Sequence, residues 1–301
     1  MAMDEYHVPV LLDESIHLLN IRPDGKYVDV TFGAGGHSGS ILKELNAKGR
    51  LYAFDQDEDA VLNTIKDQRF TLIEANFRYL KRFLRLEGIK EVDGILADLG
   101  VSSHQLDFPE RGFSYRFDTP LDMRMNIKSN ISAADLLRTY SEEVLVEILS
   151  SFGEVRNSKS LARAIIKARK FADIKTTFEF NRLLDTEAIG PKQKYFSQVY
   201  QALRMEVNDE IGALKNLLTD GMEILKHGGR FAVITFHSIE DRVVKNFFKS
   251  GNFKGEIESD EFGNIYKPFL IVNKKVIVAN SKEQKQNTRS RSAKLRVAEK
   301  I

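Results

Sequence analysis

Apolar positions in the first hundred residues fall into short runs separated by polar segments. "KYVDVT" (26–31), "RLYAFD" (50–55), "FTLIEA" (70–75) and "VDGILADL" (92–99) are apolar or β-branched over strand-length stretches. Between them lie segments with helical spacing, as at Ile41, Leu42 and Leu45 and again at Val61, Leu62 and Ile65. Such alternation predicts a parallel sheet with helices on its faces. From about Leu106 to Met205 the strand signal stops. A loop-like stretch, "DFPERGFSYRFDTPLDMRMN", comes first, and helical runs follow. "SEEVLVEILSSFG" (141–153) opens on Ser and two acids, repeats apolar residues at Val144, Leu145, Ile148, Leu149 and Phe152, and stops at Gly153. "SLARAIIKARK" and "TTFEFNRLLD" read the same way, and Thr176 with Glu179 predicts a capping box. Strand character returns with "GGRFAVITF" (228–236), then a helix at "SIEDRVVKNFF", and two more strands at "FLIVNKKVIV" and "AKLRVA". The pattern predicts an α/β domain from residues 1–105 and 206–301, carrying an inserted helical domain over 106–205.

Composition narrows the chemistry. At 301 residues, 42% hydrophobic and 29% charged, the chain can bury a sizeable core. No apolar run approaches the roughly 20 residues that span a bilayer. The first residues carry acids where a signal peptide would carry Lys or Arg, so a cytoplasmic protein is expected. Cysteine is absent, which excludes disulfides, Cys-ligated metal and a thiolate nucleophile. The six histidines show no pair at ligand spacing, so no metal site is expected. Net charge is +2, but Ser281–Ile301 holds seven basic residues, Arg289 and Arg291 among them, against two acids. This basic end suits contact with a polyanion, or else forms the wet face of a sheet edge, since "AKLRVA" alternates like a half-buried strand.

"DVTFGAGGHS" (29–38) places a glycine cluster behind the first strand. A P-loop needs Gly-Lys-Ser/Thr after the glycines, whereas Gly36 precedes His37 and Ser38. A dinucleotide fingerprint starting at Gly33 fits at Gly35 and meets Ser38 at its third place, although Asp55 ends the next strand where a ribose-binding acid belongs. S-adenosyl-L-methionine lacks a pyrophosphate. Its cationic end suits an acid at the first strand, Asp29, and its ribose suits Asp55. That arrangement matches better.

Several blocks together resemble the ribosomal small-subunit RNA methyltransferase H family (RsmH, also called MraW). They are "HVPVLL" (7–12), "DVTFGAGGHS", "DGILADLGVSSHQLD" (93–107), "ERGFSYRFDTPLDMRM" (110–125), "QALRMEVNDE" (201–210), "GGRFAVITFHSIEDRVVK" (228–245) and "RSRSAKLRVAEK" (289–300). The resemblance runs over nearly the whole chain in the family's order. It implies a Rossmann-like class I methyltransferase sheet with an inserted all-helical domain that recognises RNA. It also implies transfer of a methyl group from S-adenosyl-L-methionine to the exocyclic N4 of a cytidine in the decoding region of 16S ribosomal RNA. The implied partner is 16S rRNA in the small subunit, with no membrane and no metal, and with room for a homodimer. Carried over by position, Gly33, Gly35, Gly36 and His37 line the methionine part of the cofactor. Asp55 holds the ribose, Phe77 packs by the adenine, and Asp98 and Gln105 complete the site. The departures are small: His104 stands where the family usually has Pro, and Thr119 where it usually has Gly.

The missing cysteine bears on the methyl acceptor as well. Methylating carbon 5 of a pyrimidine usually starts with thiolate attack, which leaves nitrogen or oxygen acceptors here. A cytosine amine is a poor nucleophile, helped by acceptors for its N–H groups at the end of a strand beside the cofactor crevice. Asp98, followed by a loop with Ser102 and Ser103, occupies that place. Asp98 either accepts from the amine or positions the cofactor. His237, ending the fifth strand, is either a general base or a structural or substrate contact, the commoner role for a lone His there. Arg111, Arg116 and Arg124, interleaved with Phe113, Tyr115 and Phe117, either clamp an extruded base or pack the insertion. A small-molecule methyltransferase and a non-catalytic RNA-binding factor are the rival functions.

Overall fold

The computed structural model describes residues 9–101, 109–257, 259, 261–263 and 265–301. They divide into two compact units. One comprises the chain up to Gly100 and again from Ile211, and the other is Val101–Glu210.

The first unit is built on a sheet. After helix α1 (Leu12–Leu19) come β1 (Lys26–Asp29), α2 (Gly36–Glu44), β2 (Arg50–Asp55), β3 (Phe70–Glu74), α3 (Leu80–Leu86) and β4 (Val92–Asp98). The sheet is ordered β3-β2-β1-β4, then β5 (Leu225–Thr235), β7 (Lys294–Lys300) and β6 (Phe269–Ile271). Strands β1 to β5 run parallel, while β7 lies antiparallel to both β5 and β6. Alternate side chains leave the sheet on opposite faces, as the pleat demands. Val28, Ile95 and Phe231 join a core with Leu80 and Leu84 of α3 and with Val244, Phe247 and Phe248 of a later helix, Ser238–Ser250. Tyr27, Leu96 and Ala232 join another with Leu19 of α1 and Ile41 and Leu42 of α2. Burial on both faces explains why the parallel strands read as nearly continuous apolar runs.

Three local expectations are corrected. Val61, Leu62 and Ile65 do not belong to an α-helix. Glu58–Asn63 forms a 3-10 turn capped by the Asp57 carboxylate and closed by Thr64 Oγ1 on the Val61 carbonyl, and it leaves Leu62 87% exposed. "FLIVNKKVIV" supplies only the three residues of β6 and an isolated bridge between Ile277 and Leu295. The cause is Asn273, whose side chain accepts from the Val297 N–H (2.7 Å) and donates to the Leu295 carbonyl (3.0 Å), replacing the ladder that a longer strand would form. "AKLRVA" is no sheet edge, because β7 is paired on both sides. Its charges are matched within the fold, with Arg296 bonded to both carboxylate oxygens of Asp241 (2.7 and 3.1 Å).

In the second unit three of the five helices among the described residues start on a capping side chain. Its helices are α4 (Ala133–Thr139), α5 (Glu142–Ser151), α6 (Ser158–Ala168), α7 (Thr177–Glu187) and α8 (Lys192–Val207). Ser132 with Asp135 and Thr176 with Glu179 close capping boxes, and Ser141 caps α5. Leu136, Leu145, Ile148, Leu161, Ile165, Phe180, Leu184 and Val199 bring all five helices to one apolar core. The loop over 109–131 packs into the same core through Phe113, Leu121, Met123 and Met125. After this unit the chain re-enters the sheet through α9 (Glu210–Ile224), and Ser238–Ser250 is α10.

Candidate active site

In an open parallel sheet, ligands bind outside the carboxyl ends of the strands where the order reverses. Here that point lies between β1 and β4, whose neighbours run outward to β2 on one side and β5 on the other. Three carboxylates end the strands around it: Asp29 on β1, Asp55 on β2 and Asp98 on β4.

Asp29 is fully buried. Its Oδ1 accepts from the Thr31 N–H (3.1 Å) and its Oδ2 from the Ser38 hydroxyl (2.7 Å), so it ties the two ends of the glycine loop together. The expectation that Asp29 meets a ligand's cationic end is therefore replaced by a bracing role. Burial raises its carboxyl above the ordinary range despite those bonds. Between the two hydroxyl residues, Gly33 (φ 52°) and Gly35 (φ 78°) take the left-handed conformation that lets the chain turn into α2. Gly36 has a different reason: a Cβ there would lie 2.2 Å from Cγ of Pro9.

Asp55 accepts from the Gly33 N–H through Oδ2 (2.8 Å) and from the Asp57 N–H through Oδ1 (2.9 Å). Burial, aided by the negative charges of Asp57 and Asp29, pushes its carboxyl up to about 6. A carboxylate offers about four lone-pair positions, so acceptor capacity remains for hydroxyl groups. Phe77 sits in a short 3-10 turn after β3, half-buried against the core. The turn is tied to the end of β2 by Asn76, which donates to Gln56 Oε1 (2.8 Å).

Asp98 donates its N–H to Thr31 Oγ1 (2.7 Å), and the Thr31 hydroxyl lies 3.5 Å from Asp29 Oδ1. One threonine thus links the ends of β1 and β4. Asp98 Oδ2 lies 3.8 Å from His37 Nδ1, and its Oδ1 is buried with no hydrogen-bond partner among the described residues. Burial first, then the nearby Asp29 and Glu240, pushes the Asp98 carboxyl well above its ordinary value. His37 is held neutral, burial lowering its pKa to about 4. Its Nε2 donates to the Val10 carbonyl (3.2 Å), which leaves the Nδ1 lone pair toward Asp98.

His237 is the N-cap of α10. Its Nδ1 accepts from the Glu240 N–H (3.4 Å), and its Nε2 lies 3.2 Å from Glu240 Oε1. The lone pair a general base would use is occupied, in keeping with a structural contact. Ser102, Ser103 and Gln105 lie outside the described residues. Of the basic residues expected at RNA, Arg124 is engaged throughout, chelating Asp122 and donating to the Ile127 and Ser129 carbonyls. Arg111 donates to the Arg124 and Met125 carbonyls (2.9 Å each). Arg289 is half-buried, whereas Arg116 and Arg291 are exposed. Thr31 and Ser38 escaped the sequence reading, although hydroxyls two and nine residues beyond a strand-end acid were a usable signal.

Asp29, Asp55 and Asp98 have no Lys or Arg partner among the described residues, and all three carboxyls are raised by burial. Such a cluster, with an unpartnered oxygen on Asp98, fits a ligand that brings positive charge and a ribose diol, as S-adenosyl-L-methionine does. Five parallel strands, an antiparallel β7 slotted in beside β5, and a glycine turn with acids at the strand ends define a class I methyltransferase. Residues 4–301 match the MraW methylase family. The chain is 54% identical over 308 residues to the ribosomal RNA small subunit methyltransferase H of Bacteroides thetaiotaomicron, covering 100% of both chains. It is 55% identical over 298 residues to that of Cytophaga hutchinsonii, covering 98% and 99%. Among solved structures, a putative rRNA methylase from Clostridium thermocellum aligns with a TM-score of 0.46 at 14% identity, covering 98% of this chain and 99% of that one. This protein belongs to the MraW methylase family.

Proposed function

We propose that the protein transfers a methyl group from S-adenosyl-L-methionine to the exocyclic N4 of a cytidine in the decoding region of 16S ribosomal RNA. The observation that carries this reading is full-length identity above one half to relatives named for small-subunit rRNA methylation. The bound cofactor supplies a methyl group activated as a sulfonium, so the reading calls for no metal. Asp55 accepts the ribose hydroxyls. Gly33 and Gly35 shape the turn beside the methionine moiety, with Gly36 and His37 at the start of α2 and Phe77 toward the adenine. Asp98 accepts an N–H of the cytosine amine through its partly exposed carboxylate, orienting the nitrogen lone pair, and takes the proton released once the N–C bond has formed. The positive charge of the bound cofactor favours the ionised form of Asp98 that this role requires. Thr31, held on Asp29, fixes the Asp98 backbone for the task. Ser102, Ser103 and Gln105 follow Asp98 in the chain and are carried as further site residues, and His237 holds the start of α10.

The helical insertion, over 106–205, is assigned to RNA recognition, with Arg116 and Arg291 as exposed phosphate contacts. Arg111 and Arg124 shape the loop that presents Arg116, and Arg289 supports Arg291. Among the described residues no helix is long and apolar enough to cross a membrane. The substrate places the enzyme in the cytoplasm, and a homodimer is compatible with the reading. Transfer of tritiated methyl to isolated small ribosomal subunits, run beside free cytidine, tests the function. Label in the subunits alone is expected, whereas label in the nucleoside alone would make this a small-molecule enzyme.

A further inference from the structure

Helix α6 carries an unusual distribution of charge. From Val155 to Ala172 the chain has six basic residues and no acid, although the whole protein balances 45 Lys and Arg against 43 Asp and Glu. One of the six, Arg169, turns inward and donates to the Leu137 and Tyr140 carbonyls (2.9 and 2.6 Å). On α6 itself and its last turn, Lys159, Arg163, Lys167 and Lys170 recur at intervals of four, four and three. That spacing puts them on one face, opposite the buried Ser158, Leu161, Ala162 and Ile165. Lys159, Lys167 and Lys170 are exposed, and their ammonium groups have no hydrogen bond or ion pair among the described residues. Arg163 meets one acid, Glu142 of α5 (3.0 Å), and remains mostly exposed. The row rises about 16 Å along the helix. Just past it stands Phe171, 84% exposed, an aromatic ring that no core claims.

A regular line of four cations, three of them without an acidic partner among the described residues, with a bare aromatic ring at its end matches a strand of RNA, which offers spaced phosphates and unstacked bases. We propose that this face of α6 docks the sugar–phosphate backbone of RNA, with Phe171 as a stacking platform for an adjacent base. The proposal rests on the RNA substrate of the function above and adds a binding surface to it.

The test compares wild type with K159A/K167A/K170A and with Phe171→Ala. Each is titrated with naked small-subunit rRNA across a range of salt, with cofactor affinity and methylation of subunits measured alongside. For the triple variant the slope of log affinity against log salt falls by about two to three, roughly 0.7–0.9 per lost phosphate contact. Its KM for subunits rises while cofactor affinity and kcat stay unchanged. For Phe171→Ala the affinity falls about fivefold with the slope unchanged, because stacking displaces no counterions. If wild type methylates subunits but the triple variant binds RNA with unaltered affinity and slope, the docking strip is overturned and the function stands. A wild type that neither binds nor methylates subunits overturns the function itself. Competition by polyglutamate but not by RNA would assign the strip to an acidic protein and overturn the proposal.

Discussion

Replacing Asp55 by Asn removes a charge that the ligand-free fold holds at a cost, while leaving the side chain's shape. Burial raises the Asp55 carboxyl to about 6 from an ordinary 3.8. At about 1.4 kcal/mol per pH unit, ionised Asp55 leaves the native state ~3 kcal/mol less stable than a neutral side chain would. The native state holds this proton more tightly than the unfolded chain does. The corresponding stability is therefore fully present below a pH of about 4 and is lost as pH rises through about 6. Asn accepts through one oxygen only, so it keeps one of the bonds from the Gly33 and Asp57 N–H groups and forfeits the other, a loss of ~1 kcal/mol. The variant should accordingly be ~2 kcal/mol more stable than wild type near pH 8. That advantage shrinks to ~0.5 kcal/mol near pH 5, vanishes at pH ~4.5 and reverses below it, where the lost bond outweighs the relieved charge. Urea unfolding followed by circular dichroism, without cofactor, reads the difference at each pH. Calorimetry on the same variant should show cofactor affinity reduced at least ~10-fold, because the ribose loses a charged acceptor. Equal destabilisation of the variant at every pH would refute the reasoning, since no cost would then attach to the charge.

Ser38→Ala leaves Asp29 Oδ2 buried without its hydroxyl donor and should cost ~1–3 kcal/mol in urea unfolding. A change within experimental error would show that the brace is unimportant. Thr31→Val removes the hydroxyl shared by Asp29 and the Asp98 N–H, and single-turnover methyl transfer should slow ~10-fold or more, with a smaller effect on cofactor affinity. An unchanged rate would detach Thr31 from Asp98. Arg124→Ala should destabilise the second unit by ~1–3 kcal/mol, whereas Arg116→Ala should leave the unfolding midpoint unmoved and weaken RNA binding. The opposite pattern would exchange their roles.

The parallel strands were legible because burial on both faces leaves unbroken apolar runs, and "RLYAFD" coincides with β2 residue for residue. The capping boxes were legible because they are local chemistry. The strand at β6 was legible but its shortness was not, because a single side chain, Asn273, supplies the bonds that further strand residues would have made. Nor could periodicity distinguish the 3-10 turn at Glu58–Asn63 from an α-helix, since one short turn offers too few positions. At the site, the acids at the strand ends were visible, but the burial of Asp29 depends on two hydroxyls folding over it. Arg124 and Arg116 look alike in sequence, yet Arg124 follows an acid two residues earlier. The same Asp-x-Arg spacing recurs at Asp67 and Arg69, again as a chelated pair, so that dipeptide spacing marks an arginine already engaged.

The most direct test of the account is to label small ribosomal subunits with the enzyme and cofactor, digest the rRNA, and identify the labelled nucleoside by chromatography and mass spectrometry. Wild type should yield N4-methylcytidine from a single site, and Asp98→Asn should bind cofactor yet transfer little or no label. Label on a carbon or a ribose oxygen, or full transfer by Asp98→Asn, would contradict it.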